Sequence, residues 1–206
     1  MSVKQILLGF LPWIAFSAIS TRVGPGAVGT AALLALVLAA VFVARSVARG
    51  QSPKLLEVTA VATFAVMSAW ALIDPASDEV LALYGRGGAA LVLAVVLAVS
   101  LAIRPFTEQY ARETVAREYW DSPRFHSVNR RVSAAWAGTV AVMAVGHLVA
   151  GALTANGAEH TGYLVSRPAD LILNWLVPGL LIVATVRYTN RVVGEHRTEN
   201  PERVAR

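Results

Sequence analysis

RPFTEQYARETVAREYWDSPRFHSVNRR, from Arg104 to Arg131, is the longest polar interval between apolar runs in this chain and carries six arginines against four carboxylates. The segments on either side are too long and too apolar to be helices of a soluble core. The stretch therefore reads as a basic loop between membrane spans, and its charge largely sets their orientation.

Composition agrees. The 206 residues are 56% hydrophobic and only 15% charged, with a mean hydropathy of +0.56. A net charge of +5 would suggest nucleic acid in a soluble protein. Here the basic residues cluster beside apolar runs, so the expected partners are the bilayer and its anionic lipids, not nucleic acid. With no cysteine in the chain, disulfides, thiolate metal sites and cysteine nucleophiles are excluded.

Working outward from the loop, six apolar spans are predicted. The first, Ile6 to Ser20, is about 15 residues, or roughly 22 Å of helix against a hydrocarbon core of about 30 Å. Pro12 and Trp13 interrupt it, and no small-residue cleavage site follows, so it is expected to be a retained helix rather than a signal peptide. Pro12 frees a carbonyl inside the span.

TRVGPGAVG follows, and its Gly24, Gly26 and Gly29 match the letters of a dinucleotide-binding GxGxxG. That fingerprint works between a strand and a soluble helix, whereas this one opens an apolar run from Ala27 to Ala44, so a turn and a second span are predicted. Arg45, Arg49 and Lys54 form a basic turn. A third span runs from Leu55 to Ile73, with Thr59, Thr63, Met67 and Trp70 near one face; its Glu57 is expected to pair with Lys54 or Arg49 at the interface. The loop DPASDEVLALYGRGG leads to a fourth span, Gly88 to Ile103.

Within the polar stretch, Phe106, Tyr110, Val115 and Tyr119 recur at near-helical spacing, which predicts an amphipathic helix between the fourth and fifth spans, either in the headgroup region or packed on the bundle floor. Arg112, Arg117, Arg124, Arg130 and Arg131 are its candidate membrane-surface or partner-binding residues. The fifth span, Val132 to Thr154, presents a small-residue face of Ala134, Ala137, Ala141, Ala144, Leu148 and Gly151, bordered by His147. An ionisable residue at that depth belongs inside the bundle and neutral. The last span, Leu171 to Tyr188, carries Asn174 and Pro178, four residues apart, so the amide is placed to serve the backbone that the proline disturbs.

The expected fold class is all-α: a polytopic helical bundle of six transmembrane helices over residues 1–192, followed by a polar tail at 193–206. Fifteen of the 18 basic residues fall on one side, and only Arg22, Arg86 and Arg167 fall opposite. The positive-inside rule puts that basic side, with both termini, in the cytoplasm.

The order of FLPWIAF, RPF and SPRFHSVNRRVSAAWAG resembles the intracellular septation protein A family and its uncharacterised integral-membrane relatives. The residues that carry the resemblance are Leu11, Pro12, Arg104, Pro105, Pro123, Phe125, Asn129 and Trp136. It implies a multi-pass protein of the bacterial cytoplasmic (inner) membrane, a non-enzymatic septation or envelope factor acting through helix contacts and its basic loop, with other membrane proteins or a second copy as partners. The alternative is a small-solute or ion transporter or channel, with His147, Thr63 and Asn174 as its intramembrane polar site and Pro12 and Pro178 as helix breaks. The four histidines lack metal-ligand spacing and no catalytic set is placed by sequence, so neither a metal, a cofactor nor an enzyme is expected.

Overall fold

The computed structural model describes residues 3–20, 28–160 and 167–198, and these are helical with no strand among them. The elements are α1 (Val3–Gly9), α2 (Leu11–Ser20), α3 (Val28–Ala48), α4 (Leu55–Ile73), α5 (Ser77–Ile103), α6 (Thr107–Ala111), α7 (Pro123–His160), α8 (Arg167–Leu171) and α9 (Val177–Thr198). Five helices are long and apolar enough to cross a membrane, or six if α1 and α2, bent by 48° at their junction, count as one span. Large side chains such as Leu72, Ile73 and Ile103 point outward, as in a bundle whose surroundings are lipid. The chain is a multi-pass membrane protein.

Proline explains the bend. Pro12 has no N–H to give to the carbonyl of Leu8, so the first span breaks at Phe10, whose own N–H still reaches the carbonyls of Ile6 and Leu7 at 3.2 and 3.1 Å. The break turns aromatic residues inward. Phe10 stacks on Trp136 with centroids 5.0 Å apart, while Trp13 and Phe16 meet Phe64 at 5.0 and 5.1 Å.

The third span forms as expected, but the fourth is longer, because α5 starts at Ser77 and not at Gly88. Asp78 and Glu79 occupy its first turn, where the helix dipole favours acids. Asp78 also accepts from the N–H groups of Gly29 and Val28, at 2.9 and 3.3 Å, and so caps α3 from a neighbouring helix. Of the GxGxxG letters, Gly24 and Gly26 lie outside the described residues.

The small-residue face of the fifth span needs correction. Ala137, Ala144 and Gly151 are buried, whereas Ala134 and Ala141 are exposed. Seven-residue steps hold one face of the helix, and that face is centred on Trp136, Val140 and His147 rather than on the alanine row. A Cβ on Gly151 would lie 2.3 Å from the carbonyl oxygen of Leu83, and one on Gly87 within 3.0 Å of the Leu148 backbone nitrogen. These two glycines allow α5 and α7 to touch.

The polar stretch does not form one amphipathic helix. It gives α6, a turn, and a 3-10 turn at Arg117–Tyr119, after which Pro123 opens α7 in the first helical position with the Ser122 hydroxyl accepting from the Phe125 N–H at 3.2 Å. Phe106 and Tyr110 face the core, fully buried, so the apolar face points into the protein. Polar contacts fix it there. The Thr107 hydroxyl donates to the Asn129 carbonyl at 3.0 Å and lies 2.8 Å from the Ser133 hydroxyl. Gln109 accepts the Leu55 N–H at 2.8 Å and so caps α4, while Glu113 holds Lys54 at 2.7 Å and Gln5 at 2.6 Å.

The pairing expected for Glu57 is thereby changed: its contacts are the Ser46 hydroxyl at 3.1 Å and the Lys54 backbone N–H at 3.2 Å, because the Lys54 ammonium turns to Glu113. Arg112 is not a free surface cation, since it reaches Glu108 at 3.6 Å and stacks over Trp120 at 4.6 Å. Arg117, Arg124, Arg130 and Arg131 are exposed.

Burial, aided by the negative charges of Glu57 and Glu113, pushes the Tyr110 hydroxyl well above its usual range. A folded-state value above the unfolded one means that stability is complete below the unfolded value of about 10 and is lost as pH rises beyond it. Tyr110→Phe is expected to flatten the alkaline decline in thermal midpoint while changing little at pH 8, because the hydroxyl has no hydrogen-bond partner among the described residues. Identical alkaline slopes for the two proteins would refute the assignment.

Candidate functional site

A cavity of about 210 Å³ lies between the bent first span, α5, α7 and the last span. Its walls are apolar over most of their area. Leu7, Phe10 and Trp13 enter from the bend, Leu93 from α5, and Trp136 from α7.

The polar end is built from three helices. The His147 Nδ1 lies 2.5 Å from Asn174 Oδ1, the Asn174 amide donates to Asp170 Oδ1 at 2.5 Å, and Arg86 Nη2 approaches the same oxygen at 3.4 Å. Direction runs through this chain. An aspartate that accepts from Arg86 takes the N–H side of the Asn174 amide, which turns the amide oxygen to His147 and makes Nδ1 the protonated nitrogen. The lone pair then resides on Nε2.

Asn174 is held at this depth by a π-turn over Ile172–Leu176, with the Val177 N–H bonded to the Ile172 carbonyl. Pro178 sits immediately after it and has no N–H for the Asn174 carbonyl, so the wider turn accommodates the gap. The asparagine side chain is consequently free of the repair role expected from its spacing to the proline and serves His147 and Asp170 instead.

Of the residues singled out by sequence, His147, Asn174, Pro178 and the span around Pro12 converge here. Thr63 does not. It is buried on α4 away from the cavity, and its hydroxyl has no partner among the described residues, while Thr59 bonds its own backbone at the Leu55 carbonyl, 2.7 Å away. Leu11 is exposed, and Phe125, Asn129, Arg104 and Pro105 belong to the junction of α6 with α7. Of that motif set Trp136 lines the cavity, while Pro12 acts on it only through the bend that brings in Phe10 and Trp13.

Arg86 and Asp170 were hidden in segments that read as loops. The signal for Arg86 was the Asp-Glu pair after Pro75, an N-terminal helix signature that places residue 86 inside a span. Nothing in the sequence indicated that Asp170 would meet it.

A second polar cluster lies at the basic end. Glu108, only 2% exposed, is 3.0 Å from Arg104 Nε, 3.0 Å from His126 Nδ1 and 3.6 Å from Arg112 Nη2. It ties α6 to the ends of α5 and α7. Among the described residues no group of three potential ligands is arranged to hold a metal ion. No family model, curated protein or solved structure matches this chain.

Proposed function

We propose that this protein is a non-enzymatic carrier or channel of six spans that admits a small solute with an apolar body into the cavity and recognises it at His147. The observation that carries the proposal is the directed chain Arg86–Asp170–Asn174–His147 at one end of a largely apolar cavity. Both walls that flank it are interrupted helices, the first span at Phe10 and the last at its π-turn, and breaks at such places let helices hinge around a bound solute.

In the orientation we favour, the basic end carrying α6 faces the cytoplasm of a bacterium, so that His147 lies in the outer half of the bilayer. Purified protein in liposomes, tested over protons, common ions and small amphipathic acids, alcohols and amines, is expected to give a flux that His147→Ala lowers at least ten-fold. A wild-type rate equal to that of empty liposomes across the panel would end the carrier proposal.

The septation-type envelope factor is a second reading. Its support is the row of exposed arginines, Arg117, Arg124, Arg130 and Arg131, at the foot of α7, where anionic lipid or a membrane partner would meet them.

A further inference from the structure

Three buried N–H donors on residues lining the cavity have no hydrogen-bond acceptor among the described residues: the indoles of Trp13 and Trp136 and Nη1 of Arg86. The two indole side chains belong to residues only 8% and 2% exposed, and the Arg86 side chain is 14% exposed. None of the unpaired buried atoms that line the cavity is an acceptor. A buried donor left unmade is costly, and Arg86 Nη1 is the charged one of the three, so the head of a ligand seated against it supplies lone pairs and brings no surplus N–H groups; the two indoles mark the far part of the cavity and do not select the head. An alkylamine does the reverse.

The donors are not gathered at one point. Trp136 and His147 are eleven positions apart on α7, about 16 Å along a helix. The cavity volume of about 210 Å³ is below the roughly 300–1,000 Å³ of ordinary ligand clefts, and it is stretched over that length. It is a slot for one chain, too small for a two-chain lipid.

We infer that the cavity takes a single-chain organic acid, with its carboxyl head at Arg86 and His147 and its apolar tail running between the broken first span and α7 towards Trp13 and Trp136. The guanidinium supplies a charged donor that suits a carboxylate, and Asp170 engages it through Nη2, leaving Nη1 for the ligand. Nε2 of His147 takes up the proton that the acid gives up, so the head is held as a carboxylate. The inference rests on the proposed carrier site and adds the class of its ligand.

Tryptophan fluorescence provides the test, because two of the five tryptophans line the far part of the slot. The probe is a medium-chain carboxylic acid brominated near its tail, added to the full-length protein in detergent, with the methyl ester and the primary amine of the same brominated chain as comparisons. The acid is expected to quench saturably and at least ten-fold more tightly than the ester or the amine. Arg86→Gln with Asp170→Asn removes both charges together and avoids stranding one of them; it is expected to abolish that preference while leaving the thermal midpoint near wild type. Should the double variant fail to fold, Val140→Phe, which narrows the slot about two helical turns from His147 and adds no tryptophan to the readout, is expected to block quenching by the acid.

Equal quenching by acid, ester and amine would overturn the inference, as would a preference for the acid that survives both variants. The two proposals separate cleanly: selective acid binding without flux keeps the ligand class and ends the carrier, and flux of other solutes without acid selectivity does the opposite.

Discussion

Gly151→Val is expected to pry α5 from α7 and lower the thermal midpoint of the purified protein by roughly 2–12 °C. The cause lies in the backbone. A Cβ at residue 151 falls 2.3 Å from the Leu83 carbonyl oxygen and 3.1 Å from both the Leu83 carbonyl carbon and a Tyr84 ring carbon. A flexible side chain could swing aside, but a helical carbonyl is fixed by its own hydrogen bond, so the two helices themselves must separate. Overpacking of this kind costs about 1–3 kcal/mol, and each kcal/mol corresponds to about 2–4 °C in a chain of this size. Without a hydrophobic force between spans in lipid, close packing is the main attraction the variant would lose. Gly138→Val is the control, because nothing lies within 4 Å of a Cβ there. If both variants melt alike, the glycine contact is not what seats these helices.

Glu108→Ala is expected to cost about 2–3 kcal/mol, near the low end for removing one partner from a buried ion pair. The discount follows from the partners. Glu108 is 2% exposed, but the Arg104 and Arg112 side chains are 48% and 29% exposed, so water screens the guanidinium groups left behind. Glu108→Gln, which retains the shape and an acceptor, is expected to recover part of the loss. Because the cluster joins α6 to α5 and α7, limited proteolysis between Arg112 and Asp121 should accelerate in the alanine protein before global unfolding does. Unchanged cleavage and an unchanged midpoint would show that the cluster is a solvated surface feature.

How far these features could be read in advance differed by element. The third span was legible at both ends, because Ser52-Pro53 and Asp74-Pro75 punctuate it and its interior is apolar apart from Glu57 near its start and a few hydroxyls. The fourth was misjudged at its start: Gly85, Gly87 and Gly88 around an arginine look like a loop, whereas in the fold Gly85 and Gly87 bring neighbouring side chains close and Arg86 is matched by a carboxylate 84 positions away. Local pattern carries no trace of such a partner. His147 and Asn174 each stood out as polar residues in apolar runs, but their meeting depends on the register of α7 against the last span, set partly by a π-turn that shifts every following residue. The face of Phe106 and Tyr110 was visible too. Its direction was not, since periodicity tells which residues share a side and leaves open whether lipid or protein covers it.

The contacts of α6 also dictate an order of assembly. The cap on the first amide of α4 is supplied by Gln109, 54 positions later, and the hold on Gln5 by Glu113, 108 positions later. At synthesis rates of about 5–20 residues per second, α4 waits roughly 3–10 s for its cap. The first hairpins therefore enter the bilayer unlatched, able to slide and tilt, and become a closed body only when the basic loop emerges and is drawn under them. A chain halted shortly after Ile103 would hold its first spans and lack both of these contacts.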